Sequence, residues 1–303
     1  MAVGKKTNEY APDVMTYSGR IGKIAKEVIE GEATPSKFNS LLKDIGEYGK
    51  DIEITLYRKA TGSATTRTGN VDFPAPQSNV LLFKDWVQKT YPVRIDKLQI
   101  AESSTNGDTA AKNADEIVQT LYEGAEWDKN QNAMGAFSTL TAGIPSALGN
   151  TDIVELGGVP EITDEASADA YLLAVKDAAK LMREGSFDVN PYRMNVRSRR
   201  IVMIAPAQNV NRVDVYKRAG SFENKYTLFD VDEIIEYDPS MFTGTSAATF
   251  ILDERFAQFY ERANEYEETK AKGNRGVDAC LYTNNLFGIC PLFNAVKIPQ
   301  SAE

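Results

Sequence analysis

Three groups of side chains could do chemistry in this chain. Asp230, Asp232, Glu233, Glu236 and Asp238 bring carboxylates close together, the donor type that hard divalent cations prefer. Period-2 alternation would, however, split Asp230, Asp232, Glu236 and Asp238 from Val231 and Glu233, which reads as the wet face of a strand. Arg193, Arg197, Arg199 and Arg200 form the densest basic cluster. Such a cluster can touch phosphate, pair with carboxylates of another subunit, or simply be solvated. Cys280 and Cys290 are the only cysteines; two thiols fall short of the four ligands of a structural zinc site. They read as small buried apolar groups, with a disulfide between them left open.

The familiar catalytic patterns are missing. Gly4-Lys5-Lys6-Thr7 lacks the upstream glycine and strand of a phosphate-cradling loop, and no GxGxxG or HExxH occurs. Histidine is absent, which removes the commonest general base, the Ser-His and Cys-His pairs and the commonest metal ligand. The expectation is a protein that is not an enzyme, with no catalytic residue, no cofactor and no metal.

At 303 residues the chain is one large domain or two ordinary ones, and can bury roughly 75% of its unfolded surface. With 42% hydrophobic and 25% charged residues the composition is that of a globular protein. No apolar run nears the roughly 18 residues of a membrane span, and residues 1–17 lack the apolar core of a signal peptide. Folding in a reducing cytoplasm follows. A net charge of −9 argues against gripping nucleic acid, which takes clustered cations, while leaving open a wall that encloses it without sticking.

Elements that would position these groups are legible along the chain. Ile21, Ile24, Ala25 and Val28 have helical spacing. Thr34-Pro35 signals a second helix lined by Phe38, Leu41, Leu42 and Ile45. Residues 52–58 alternate as a strand, 60–70 are small and polar, and 71–82 return extended, which together predict a projecting hairpin. Strand segments follow around Pro92, then a helix marked by Ala114, Ile117, Val118, Leu121 and Ala125, with Trp127 anchoring its end. A short strand at Ile153-Val154-Glu155-Leu156 precedes a helix capped by Thr163, with the stripe Ala168, Leu172, Val175, Ala179 and Met182 and a stop at Gly185. Ile201 to Pro206 is apolar throughout, the mark of a central strand buried on both faces. Asn209 to Ala219 reads as a helix and Leu228 to Tyr237 as a strand. The class is α+β.

The last quarter is the most specific part. Phe250-Ile251-Leu252-Asp253-Glu254-Arg255-Phe256-Ala257-Gln258-Phe259-Tyr260-Glu261-Arg262 reads as a long charge-studded strand, and Asn285-Leu286-Phe287-Gly288-Ile289-Cys290-Pro291-Leu292-Phe293-Asn294-Ala295-Val296-Lys297-Ile298 as an apolar ending. Together they resemble the C-terminal signature of tailed-bacteriophage major capsid proteins of the Hong Kong 97 fold. There, "apolar, Asp, basic, aromatic, aromatic" precedes "Leu, aromatic, Gly, apolar, x, Pro". Ala142-Gly143-Ile144-Pro145 is similar to the Gly-Ile element that follows the long spine helix in that family.

The resemblance implies a Hong Kong 97-type fold: an N-terminal arm (1–50), an extended hairpin loop (51–85), a peripheral domain with the spine helix (86–150 and 247–272) and an axial domain (151–246 and 273–303). It implies self-assembly into hexamers and pentamers of an icosahedral head around double-stranded DNA, bound without sequence specificity. It further implies a portal and a separate scaffolding protein as partners, no membrane, and assembly in the host bacterial cytoplasm before residence in the virion. Met1 favours the separate scaffold over a cleaved leading segment. An encapsulin-type compartment shell and a phage tail or neck protein are the alternatives, with a histidine-free enzyme a distant third. Because acids and bases interleave between Glu254 and Lys270, pairing between equivalent copies is expected. The candidate inter-subunit contacts are Arg193, Arg197, Arg199, Arg200, Arg255 and Arg262.

Overall fold

A computed structural model describes residues 36–45, 51–57, 78–96, 107–144, 151–185, 197–218, 228–241, 247–262, 264–270 and 276–300. The expected helix around Ile21, the loop tip 60–70 and Arg193 lie outside them. Three α-helices and two large sheets organise these residues.

The six-stranded sheet runs β5 (Ala142–Gly143), β6 (Ile153–Glu155), β13 (Ala295–Pro299), β9 (Ala248–Asp253), β7 (Ile201–Pro206), β8 (Glu233–Tyr237). As its uniform apolarity predicts, β7 is buried at every residue, between antiparallel β9 and parallel β8. Its odd residues Ile201, Met203 and Ala205 enter one core, and Val202 and Ile204 enter another. The first core is roofed by α2 (Glu165–Glu184) and α3 (Ala207–Arg218). All five expected stripe residues of α2 are buried, and Gly185 ends it in the left-handed conformation at φ 75°. The cap is Asp164 rather than Thr163: its carboxylate accepts from the Ser167 amide at 2.8 Å while the Ser167 hydroxyl accepts from the Asp164 amide. These bonds from Ser167 hold the Asp164 carboxyl below the usual carboxylate range.

The five-stranded sheet is a long antiparallel ribbon with two flanking strands. Along one edge of the 14-residue β12 (Gly276–Ile289) pair β11 (Glu265–Lys270) and then β10 (Ala257–Glu261); β4 (Val87–Asp96) pairs Gly276 to Asn285 along the other edge, and β1 (Leu42–Asp44) lies parallel to β10. Pro92 is tolerated mid-strand because, among the described residues, β4 pairs only with β12. The third layer is α1 (Gly107–Ser138), 32 residues and about 48 Å long. Val118, Leu121, Tyr122 and Ala125 pack on Ile95 and Leu281 of this sheet, while Ala133, Met134 and Phe137 enter the core under the six-stranded sheet. One helix therefore carries both sheets. Trp127 does not end it. The helix continues because its next buried turn is supplied by the second sheet, and Trp127 faces outward.

Three further expectations are corrected. The helix predicted from Pro35 is one turn, with Leu41 and Leu42 amides bonded to the Phe38 carbonyl, followed by strand β1. Pairing with β10 offers Leu42 to Asp44 a ladder that a short isolated helix lacks. The strand predicted from Leu228 starts at Glu233, because Leu228 and Phe229 are helical and Asp230 turns through φ 56°. The long strand 250–262 is two strands: Glu254 to Phe256 form a corner that carries the chain from one sheet into the other.

Helix α1 is tied to β4 by Asp128, which accepts from the Tyr91 hydroxyl at 2.7 Å and pairs with Lys89 at 2.8 Å. Burial pushes the Asp128 carboxyl up, but the bonds from Lys89 and Tyr91 outweigh it and leave it below the usual range. A lowered folded-state pKa contributes stability above the unfolded value of about 3.9, lost as pH falls through the folded value. Asp128→Asn is therefore expected to be less stable than the parent at neutral pH, with the gap closing below about pH 4. A gap in denaturant midpoint that stays constant from pH 7 to pH 3 would contradict this tie.

Candidate inter-subunit surface

The surface that could meet another molecule starts at the hairpin. β2 (Ile52–Tyr57) and β3 (Ser78–Phe83) pair antiparallel, with Ile54 opposite Leu81 and Thr55 opposite Val80. Alternation gives the pair two faces. Ile54, Leu81 and Phe83 pack on Cys290, Leu292 and Phe293. The other face carries Glu53 and Thr55 beside Val80 and Leu82, which are 50% and 55% exposed. A two-stranded ribbon is at best marginally stable alone, so the base contact holds this one.

The hairpin leans on the face of the five-stranded sheet opposite α1. On β12, Phe287 and Ile289 point to the α1 side, and Gly288 and Cys290 to the hairpin side. Farther along that open face lies a groove of about 460 Å³ lined by Pro92, Arg94, Glu267, Asp278, Cys280 and Tyr282. Arg94 and Asp278, direct partners across the strands, close it with a bidentate pair at 2.6 and 3.0 Å.

The candidate arginines are dispersed by the fold. Arg200 meets Glu233 at 2.7 Å and Glu254 at 3.3 Å within its own chain. Strand register causes this: Ile201 pairs with Asp253 and Val202 with Glu233, so Arg200 lies beside both acids. Arg255 turns back onto Asp253 with two bonds of 2.8 and 2.7 Å and stacks 4.7 Å over Phe293. Asp253 is 1% exposed, so its pair with Arg255 locks the corner between the sheets. Arg262 stacks 4.0 Å over Trp86. Among the described candidates, Arg197 and Arg199 are the exposed ones, with no ion pair to a described residue. The acids are dispersed too: Asp232 accepts from the Ile201 amide, Asp238 caps Ser240, and Glu233 holds Arg200. No described group of three His, Cys, Asp or Glu side chains could hold a metal ion.

A latch not foreseen from sequence ties residues 36–44 to α1 and β10. The Ser36 amide donates to Glu126 at 2.6 Å and the Lys37 amide to Asn130 at 3.1 Å. Lys129, almost wholly buried, bridges Glu126 at 2.7 Å and Glu261 at 2.6 Å. Burial pushes the Lys129 ammonium down, but the two carboxylates outweigh it and hold its pKa above the usual value. The i, i+3 spacing of Glu126 and Lys129 was legible, but the arrival of Glu261 from β10 was not. Both cysteines are free thiols, and burial raises the Cys290 pKa, which fits an inert packing role. No described helix is long and apolar enough to cross a membrane.

Comparison with known proteins fits this architecture. No curated protein sequence matches the chain. Among solved structures it is similar to the capsid of Staphylococcus phage Andhra at 11% identity, TM-score 0.65, over 90% of this chain and 86% of that one. The mature capsid of bacteriophage PhiM1 is similar at 9% identity and TM-score 0.62, over 90% and 89%. A virus-like particle from Pyrococcus furiosus reaches 9% identity and TM-score 0.51, over 94% and 98%. At such identities the likeness shows the fold, which is of the Hong Kong 97 type, and is common to particles of different kinds. The sequence separates them: residues 17–298 match the family described as Phi29-like phage major capsid protein. The match takes in both large sheets, the three described helices and the hairpin, so the chain belongs to the Phi29-like phage major capsid proteins, structural subunits of the virion rather than enzymes.

Proposed function

We propose that copies of this chain join as hexamers and pentamers into an icosahedral head around double-stranded DNA, and that the hairpin is a principal contact between copies. The observation that carries this reading is the half-exposed pair Val80 and Leu82, on the face of the hairpin turned away from the described core. A ribbon that packs one face on the body through Ile54, Leu81 and Phe83 and turns apolar side chains outward on the other has the geometry of strand-face docking on a second copy. Replacing Val80 and Leu82 together by aspartate is expected to leave the subunit folded and to abolish closed shells in negative-stain images. Normal shells from this variant would refute the hairpin's role.

In this reading residues 36–44 belong to the arm, and the five-stranded sheet with α1 forms the peripheral domain. The six-stranded sheet with α2 and α3 forms the axial domain, so the chain passes between domains after Ser138, at Glu254 to Phe256 and again after Ile289, which puts β9 in the axial and β12 in the peripheral domain rather than dividing them at 247 and 273. The shell is built in the host cytoplasm with a separate scaffolding protein and a portal. Its acidic wall holds DNA without sequence-specific contacts.

Of the arginines, Arg197 and Arg199 are the ones proposed to meet carboxylates of a neighbouring copy. Each exposed pair contributes only about 0.2–1 kcal/mol, but a ring repeats it at every contact. Reversing both charges is expected to raise the subunit concentration needed for assembly without lowering the unfolding midpoint. If empty shells form at unchanged concentration and only DNA packaging suffers, these arginines face the genome instead.

A further inference from the structure

The glycine of the C-terminal signature has no turn to make, since Gly288 lies inside β12, opposite Gln258 of β10. What it does is leave room. A Cβ added at Gly288 would overlap Cδ1 of Phe83 and lie 2.8 Å from Cε1 and 3.2 Å from Cγ. Real Cβ atoms do not approach a ring so closely, so the phenyl group of β3 is seated directly on the backbone of β12. The ring is not free to swing away at no cost, because it packs on Cys290 and Leu292 together with Ile54, Leu81 and Phe293. Phe83 is also the last paired residue of the hairpin, opposite Ile52 at its base. A shift of this ring must therefore move the strand that carries it.

We infer that the Phe83 ring seated on Gly288 sets the angle at which the hairpin leaves the body, and through that angle the geometry of the closed shell. The inference rests on the hairpin being a contact between copies. The lever argument is one of length. β2 and β3 each pair over six residues, so the ribbon reaches about 20 Å beyond its base. A displacement of about 1 Å at the seat is magnified toward Val80 and beyond. Two observations support a fixed seat rather than general packing. The contact is ring against backbone, so no side chain on β12 can adjust to absorb a change. The residues to either side, Phe287 and Ile289, are engaged on the opposite face of the sheet. β12 can neither rotate nor slip without breaking its ladder with β10 and exposing those residues.

The test uses the full chain. Gly288→Ala is expected to speed hydrogen exchange of the β2 and β3 amides at least tenfold while β7 and β9 exchange as in the parent. On assembly it should give open or mis-sized particles in electron micrographs. Gly288→Ala combined with Phe83→Leu, which shortens the ring that collides, is expected to restore both exchange and particle diameter. Phe83→Ala empties the seat without strain on β12, so it keeps the test available if Gly288→Ala proves insoluble; the same loosening and mis-sizing are expected. Unchanged exchange in both single variants would overturn the seat itself. Faster hairpin exchange with shells of parental diameter would overturn the link from seat to shell geometry, whereas failure of the hairpin as a contact would appear separately as normal shells from the Val80 and Leu82 aspartate variant. Mis-sized shells that the double variant does not rescue would also overturn it, since the effect would then not pass through the ring.

Discussion

Asp253→Ala is expected to destabilise the subunit by about 3 kcal/mol, the low end of the range for breaking a buried ion pair. Asp253 is 1% exposed, and its carboxylate accepts from the Arg255 amide at 3.0 Å and from the guanidinium at 2.8 and 2.7 Å. Truncation leaves all three donors without their acceptor at the corner where β9 hands the chain to β10. The low end applies because the Arg255 side chain keeps 30% exposure and can turn to water. Arg255→Met, which preserves bulk against Phe293 but strands the carboxylate, is expected to cost as much or more. Urea midpoints at unchanged slope provide the measurement. Losses under 1 kcal/mol in both variants would show that the corner is held by its backbone bonds alone, such as the Cys290 amide to the Phe256 carbonyl at 2.8 Å.

The second large effect is expected at Phe137. Its ring lies 6.5 Å from Phe38, 5.5 Å from Phe250 and 5.8 Å from Phe259, centre to centre. Those neighbours come from the turn before β1, from the six-stranded sheet and from the five-stranded sheet, so a single side chain on α1 joins three parts of the protein. Phe137→Ala removes a fully buried ring from a site whose walls belong to different layers and cannot collapse together. The expected loss is about 3–5 kcal/mol, and Phe137→Leu should recover more than half of it. If the alanine variant unfolds in one transition within 1 kcal/mol of the parent, the aromatic cluster is not the joint between the sheets.

What was legible in the sequence was local. The two-sided burial of Ile201 to Pro206 followed from an unbroken apolar run, and α2 from a stripe at helical spacing with a glycine stop. The hairpin followed from an alternating segment, a small polar stretch and an extended return. Each of these rests on a rule with a reach of a few residues, and the C-terminal signature added the fold family.

The sequence alone determined the α+β class, the absence of histidine chemistry, the burial of β7 on both faces and the buried stripe of α2. Tertiary structure decided the rest. Leu42 to Asp44 became a strand because β10 was there to pair with, and α1 ran on past Trp127 because a second sheet supplied its next core. The segment from Phe250 to Arg262 divided because Asp253 and Arg255 fold it at a corner. Arg200 and Arg255 found acids of their own chain because register brought Glu233, Glu254 and Asp253 beside them. The common reason is range: hydrophobic period and capping act between residues three or four apart, whereas strand register, ion-pair partners and the seat of Phe83 on Gly288 depend on residues brought together from as far as more than two hundred positions away, which no local spacing encodes.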